Sequence, residues 1–165
     1  MPTYIVKTSN IKLDKKKKNK IAMGITETHK KITGADSFFA QVLFEENNKK
    51  SHFMGGKIIK DKQIFLSGQI RAGRSVNIKK KLILNLRKSL EINSKIKKDN
   101  IWVYLLEIMP NQMIEYGEIL PKSGQETKWL NSLSKSLQTK LKKINKWIKY
   151  LFLVRWVHKA YLQFF

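Results

Sequence analysis

The sequence predicts an α/β (α+β) fold in which two fused β-α-β units form one four-stranded sheet with two helices on one face, followed by a C-terminal helix. Three observations carry this expectation. Apolar patterning and capping residues run strand, helix, strand over residues 2–46 and again over 63–108. The two stretches match in phase, Tyr4 with Phe65, Asp14 with Ser75 and Asp36 with Asp99, at separations of 61, 61 and 63 residues, which marks two copies of one module. Charge then divides the chain: all 12 acidic residues precede Thr127, and beyond Ser134 the charged side chains are Lys and Arg155 alone. Residues 1–133 therefore read as the body and 134–165 as a basic amphipathic helical tail.

Tyr4 to Ser9 predicts the first strand, Asp14 caps a helix running to about Thr33, and Phe38 to Glu45 predicts a second strand. A loop containing His52 and Gly55-Gly56 follows. Ile64 to Ile70 predicts a third strand, Ser75 caps a helix with Ile78, Leu82, Ile83, Leu86 and Leu90 on one face, and Ile101 to Ile108 predicts a fourth strand. Strands joined by helical crossovers are parallel within each unit. Phe38 to Phe44 and Ile101 to Leu106 are nearly continuous in apolar residues, which calls for cover on both sheet faces, and two helices cover only one. A closed homo-oligomer is the expected remedy. Gln112 to Leu120 reads as a turn and a short strand that closes an edge or reaches a neighbour, before Pro121 and Gly124 end the body. From Leu130 onward Leu133, Leu137, Leu141, Ile144, Ile148 and Leu151 recur at helical spacing between lysines, a pattern suited to weak contact with an anionic membrane surface or to packing on a neighbouring subunit.

Composition removes several classes of function. No stretch approaches the ~18 consecutive apolar residues of a membrane span, and Lys12 to Lys18 stand where a signal peptide would be apolar, so a cytoplasmic protein is expected. The chain contains no cysteine, and His29, His52 and His158 are widely spaced; no metal or other cofactor is expected. A net charge of +22 raises nucleic acid as a partner, but among 34 basic residues only Arg71, Arg74, Arg87 and Arg155 are arginine. Scattered lysine describes a solvated surface better than base or phosphate readout, and no specific nucleic acid is expected.

Against that background a few residues stand out, each with a plainer reading beside it. Pro2 becomes a rigid secondary amine titrating near ~8 if Met1 is removed, and otherwise merely starts a strand. Arg71-Ala72-Gly73-Arg74-Ser75 lies at a strand-to-helix turn, where two guanidinium groups and free N–H groups converge on an anion or simply face water. His29 falls on the apolar face of the first helix, Tyr104 within an apolar strand, and Glu115 between Ile114 and Tyr116; all three fit ordinary packing or a site.

Taken together, Pro2, His29, Arg71, Arg74, Tyr104 and Glu115 resemble the catalytic set of the cis-3-chloroacrylic acid dehalogenase branch of the 4-oxalocrotonate tautomerase superfamily. Phe39-Ala40-Gln41-Val42, the Arg-x-Gly-Arg-Ser run ending at Ser75, Ile101 to Tyr104, Gln112 to Gly117 and Leu120-Pro121 carry the likeness from Pro2 to about Leu133. The resemblance implies a homotrimer of fused β-α-β pairs acting through an amino-terminal proline on a small carboxylate. It implies that Arg71 and Arg74 clamp the carboxylate, His29 helps hold and polarise it, Tyr104 and Glu115 position and activate water, and Pro2 as an ammonium protonates carbon. Ile70 departs from the polar residue of that branch, and the tail beyond Ser134 has no counterpart in it. Hydration or dehalogenation of a 3-haloacrylate-like acid is the leading expectation. Enol-keto tautomerisation with neutral Pro2 as base is the alternative, and a basic protein binding membranes or nucleic acid beside an idle pocket is the alternative of another class.

Overall fold

A computed structural model describes residues 2–47, 50–146 and 150 of the chain. Strand β1 (Thr3–Ser9) leads into helix α1 (Lys15–Thr33), which starts where extended Asp14 accepts the Lys17 N–H at 2.6 Å and stops at left-handed Gly34. Strand β2 (Gln41–Asn47) completes the first unit, and a small hairpin of β3 (Phe53–Met54) and β4 (Lys57–Ile58) connects it to the second. There β5 (Gln63–Arg71) is followed by α2 (Val76–Ser94), capped by Ser75 accepting the Ile78 N–H at 3.3 Å, and by β6 (Ile101–Ile108). A second hairpin of β7 (Ile114–Glu115) and β8 (Glu118–Ile119), helix α3 (Glu126–Ser132) and a helix α4 at 135–146 finish the described chain.

The sheet order is β2-β1-β5-β6, with β1 parallel to β2, β5 parallel to β6, and the two units joined by the antiparallel pair β1 and β5. This is the expected pair of β-α-β units. Tyr4, Val6, Ile64, Leu66 and Ile70 point from the central strands into Ile21 and Ile25 of α1 and Leu82, Leu86 and Leu90 of α2. Complete burial of each such aliphatic side chain contributes ~1.5–3 kcal/mol, so this layer holds the two units together. On the opposite face Leu43, Trp102, Tyr104 and Leu106 stay exposed. The doubly apolar strands are thus covered on one face by their own chain.

Three local expectations change. Phe38 and Phe39 do not begin β2; Ser37–Phe39 form a 3₁₀ turn whose two rings lie 4.2 Å apart and pack with Leu120 and Trp129 in a second core. An apolar run satisfies strand and turn alike, and here the burial partner decided. The Gly55-Gly56 loop is a hairpin turn, both glycines having positive φ, a signal legible in two glycines between short apolar pairs. The helix expected from Leu130 onward breaks at extended Leu133, and Ser134 caps a new one by accepting the Leu137 N–H at 3.3 Å.

That new helix does not stand apart. Leu137, Leu141 and Ile144 pack against the second core, Asn145 Oδ1 accepts the Ser37 N–H at 3.2 Å, and Asn145 Nδ2 donates to Asp36 at 2.8 Å. Packing therefore crosses the boundary expected at 133/134, and the apolar side of residues 135–146 is already covered by the body. The stretch from Trp147 to Lys149 and everything beyond Tyr150 lie outside the described residues, as does Met1. No described helix is long and apolar enough to cross a membrane.

Gly68 faces Tyr4 across the β1–β5 pair, and a Cβ there would meet Tyr4 Cε1 at 2.7 Å and Leu105 Cδ2 at 2.8 Å. Tyr4 is fully buried with no room to swing aside. Gly68→Ala is expected to cost ~1–3 kcal/mol of overpacking; unchanged urea midpoints for wild type and variant would show that the tyrosine site is looser than this.

Candidate active site

The register of β1 on β5, Thr3 opposite Gln69, brings the start of the chain beside the end of β5. Pro2 is buried there, its carbonyl accepting the Gln41 N–H at 3.0 Å, so the ring sits at the end of a fixed strand. Arg71 closes β5, and the chain turns through Gly73 at φ +106°, a conformation that a side chain strains, before α2 begins. The turn folds Arg74 back so that its Nη1 donates to the Arg71 carbonyl at 2.7 Å. Pro2, Arg71 and Arg74 line one small, partly open cavity with Ala35, Phe39, Leu120, Pro121 and Glu126. Its volume of about 10 Å³ suits about one water molecule.

The two arginines differ in their partners. Arg71 is only 5 % exposed; its Nη1 donates to the Pro121 carbonyl at 2.8 Å, its Nη2 to the Glu126 carboxylate, and its Nε is buried without a partner among the described residues. Burial works to raise the Glu126 carboxyl, but the hydrogen bond and charge of Arg71 outweigh it, aided by nearby backbone N–H groups, and hold the group below the usual carboxylate range. Half-buried Arg74 donates to a backbone carbonyl and has no carboxylate bonded to it among the described residues. Desolvation first, and repulsion from Arg71 second, weaken its hold on its proton, against the lesser support of Tyr4, Glu126 and Glu107.

His29, 1 % exposed on α1, meets Tyr4 with its Nδ1 2.7 Å from the hydroxyl. Burial drives the Tyr4 pKa well above the ordinary tyrosine range, so Tyr4 is a neutral O–H. A phenol O–H is a better donor than an imidazole N–H, and an imidazole nitrogen a better acceptor than a phenol oxygen, so the hydroxyl donates to Nδ1 and the proton of the neutral ring sits on Nε2, which has no hydrogen-bond partner among the described residues. Burial, then the charges of Arg74, the amino terminus and Arg71, push the imidazole down to about 3, so His29 offers an anion a neutral donor.

Glu115 lies on β7 in an adjoining open groove of about 620 Å³, with Thr3, Phe38, Phe39 and Tyr116 among its walls. Phe39 borders both spaces. Desolvation raises the Glu115 carboxyl, opposed by the positive amino terminus and Arg71, which leaves a carboxylate of increased basicity within electrostatic reach of both. Tyr104 is not brought in. It stands 54 % exposed on the open sheet face, ring edge against Phe65 at 5.0 Å, and pairs with Ser67 four residues before Arg71. One chain thus places four of the six sequence candidates, Pro2, Arg71, Arg74 and Glu115, on two adjoining spaces, keeps His29 buried behind them within electrostatic reach of both arginines, and leaves Tyr104 outside. Tyr4 and Glu126 were missed: Tyr4 read as an ordinary strand residue, and no local pattern links Glu126 to an arginine 55 residues earlier.

The arrangement offers a neutral donor, two guanidinium groups, a buried proline ring and a basic carboxylate, a set able to hold a small carboxylate and move protons on its carbon chain. The model of the family described as "Putative oxalocrotonate tautomerase enzyme" matches residues 1–133. In structure the chain is similar to N1, a member of the cis-3-chloroacrylic acid dehalogenase family, with 27% identity and a TM-score of 0.81 over 86% of this chain and 99% of that one. It shares the fold of native fused 4-OT at 18% identity, TM-score 0.66, 71% of this chain and 94% of that one. It likewise shares the fold of Pt0534 inactivated by 2-oxo-3-pentynoate at 18% identity, TM-score 0.66, 73% and 97%. No curated protein matches.

Neutral buried His29 makes a stability prediction. Its folded pKa of about 3 lies below the 6.5 of the unfolded chain, so between those values the unfolded state binds the extra proton and stability falls as pH falls; the contribution is complete above about 6.5. Wild type should lose about 1.4 kcal/mol per pH unit more than His29→Gln through the middle of that window. Urea unfolding from pH 6.5 to 4 measures it, and parallel curves would place the imidazole in contact with water.

Proposed function

The chain belongs to the oxalocrotonate tautomerase family, and from that premise we propose that it is a cofactor-independent enzyme with an amino-terminal proline that acts on a small unsaturated or 2-oxo carboxylate. Hydration and dehalogenation of a 3-haloacrylate-like acid is the best-fitting reaction. The observation that carries this reading is the convergence of Pro2, Arg71 and Arg74 on one side of Phe39, with neutral His29 buried within electrostatic reach of both arginines and the raised carboxyl of Glu115 on the other side.

In this mechanism Arg74, the Nε2–H of His29 and the Arg71 guanidinium hold the substrate carboxylate and draw electron density toward it. Glu115 takes a proton from water as the oxygen bonds to carbon 3, the π bond breaks, and the Pro2 ammonium delivers its proton to carbon 2. The carbon that then carries both hydroxyl and halogen loses hydrogen halide and leaves an aldehyde. A carboxylate whose pKa is raised is the better base for the first step. The cavity of about 10 Å³ is too small for such an acid, so Phe39, Leu120 or α3 must give way on binding.

We further propose a homotrimer. The exposed Leu43, Trp102 and Leu106 supply an apolar face that needs cover, and the fused 4-OT relatives include symmetric and asymmetric trimers. A neighbouring copy laid on that face would also give Tyr104 a site to enter. The second reading is enol-keto tautomerisation with neutral Pro2 as base; it draws on the fact that Pro2 and both arginines share the small cavity while Glu115 lies in the adjoining groove. Family membership favours either enzyme over a surface-binding protein with an idle pocket.

Hydration needs Glu115, whereas proton transfer within a bound enol needs chiefly Pro2 and the clamp. Glu115→Gln should lose about 10²- to 10⁴-fold in haloacrylate turnover and keep enol-keto activity, while Arg74→Ala damages both. A wild-type rate of hydration in Glu115→Gln would give the lead to tautomerisation. Intact-mass measurement of the active protein should find the chain beginning at Pro2; a fully retained Met1 would remove the amine from the mechanism. Light scattering should find three copies, and a folded monomer at low concentration would leave the open face without this explanation.

A further inference from the structure

Glu126 occupies an unexpected place for an acid, inside a cavity read as a seat for carboxylates. It extends from the first residue of α3 and bonds Arg71 Nη2, while the Pro121 carbonyl takes Nη1. The neighbouring acid Glu107 is paired with Lys79 at 2.6 Å. On this side of the site Arg71 and Glu107 therefore have charged partners, and among the described residues Arg74 remains as the guanidinium without a bonded carboxylate of its own.

We infer that Glu126 sets the charge of acceptable substrate: by bonding Arg71 it leaves Arg74 as the one cavity guanidinium with no carboxylate bonded to it among the described residues, and so selects monocarboxylates over dicarboxylates. This rests on the reading of the cavity as a carboxylate site and narrows its substrate class. A monoanion brings one negative charge to Arg74 and meets a further donor in the Nε of Arg71, which has no partner among the described residues. A dianion brings a second charge into a space whose other walls are Pro2, Ala35, Phe39, Leu120, Pro121 and Glu126, where the remaining guanidinium is already bonded and its partner repels the newcomer. A buried charge without a partner is costly, so the second carboxylate is penalised. Glu126 acts through Arg71 and the local field; it is a positioning and selecting residue.

The test uses binding of unreactive acids, so it is independent of turnover. Calorimetric titration of the full chain with propionate and with succinate should give tighter binding of propionate to wild type. In Glu126→Gln, which keeps the shape and a carbonyl acceptor for Arg71, the succinate-to-propionate affinity ratio should rise about tenfold, as expected for removal of one negative charge a few ångström from the second carboxylate. Glu126→Asp, which retains the charge, should stay within about threefold of wild type. Wild type that binds succinate as well as propionate overturns the inference without any variant, and covers the case in which Glu126→Gln does not fold. An unchanged ratio in a folded Glu126→Gln, with both acids weakened alike, also overturns it and makes Glu126 purely structural. Absence of binding by either acid to wild type removes the carboxylate-site reading itself, and the inference with it.

Discussion

The antiparallel register of β1 on β5 is the constraint on which the rest of this structure depends. Each β-α-β unit makes its own parallel pair, but only the junction decides how the two units meet, and with Thr3 opposite Gln69 it sets the buried Pro2 beside the last turn of β5. A slip of one residue would turn Tyr4, Val6 and Thr8 away from the helices and would move Pro2 off Arg71. The pairing of Tyr4 with Gly68 ties this register to packing, because the ring occupies the space that a side chain on residue 68 would take. The same ring carries the hydroxyl that holds His29. A backbone register is thereby converted into the tautomer of an imidazole.

Around Pro2 the electrostatics are uneven, and the unevenness has structural causes. Arg71 is buried at the end of a central strand and could not remain so without partners; Glu126 and the Pro121 carbonyl provide them, and both belong to the segment that lines the cavity. Arg74 lies one turn farther on, less buried and less bonded. His29 is neutral because its burial in the core, and then the charges of Arg74, the amino terminus and Arg71, disfavour a further positive charge. The cavity wall therefore holds one arginine bonded to a carboxylate and one bonded to a backbone carbonyl.

The second core explains why residues after 133 belong to the description of the site. Phe39 walls both the small cavity and the open groove, and it packs on Trp129, whose indole N–H donates to the Ile119 carbonyl at 2.9 Å. Leu133 and Leu141 complete that cluster. The start of the basic tail thus braces the wall between Pro2 and Glu115, while the lysines of α4 face outward. Any contact with an anionic surface would fall to these lysines or to the segment beyond residue 146.

How much of this was legible in the sequence follows from the range of the forces involved. The two strand-helix-strand units, their caps at Asp14 and Ser75, and the closeness of Arg71 to Arg74 across Gly73 were readable because capping, periodicity and turn sterics act over a few residues. The placement of Phe38 and Phe39 was not, since an apolar run states that it will be buried and not against what. Nor was the break at Leu133, where the helical spacing of leucines continues across a chain that turns. Pro2, His29, Arg71, Arg74, Tyr104 and Glu115 were identifiable as a set from a resemblance, but the meeting of Pro2 with Arg71 and Arg74 in one cavity required the β1–β5 register, a pairing between residues more than sixty apart. The sequence by itself determined the two strand-helix-strand units, their caps and the nearness of Arg71 to Arg74. The tertiary structure alone decided that Arg71 is bonded to Glu126, that Tyr4 fixes His29, and that Tyr104 lies outside the cavity, because each of these depends on long-range packing that leaves no local pattern in the chain.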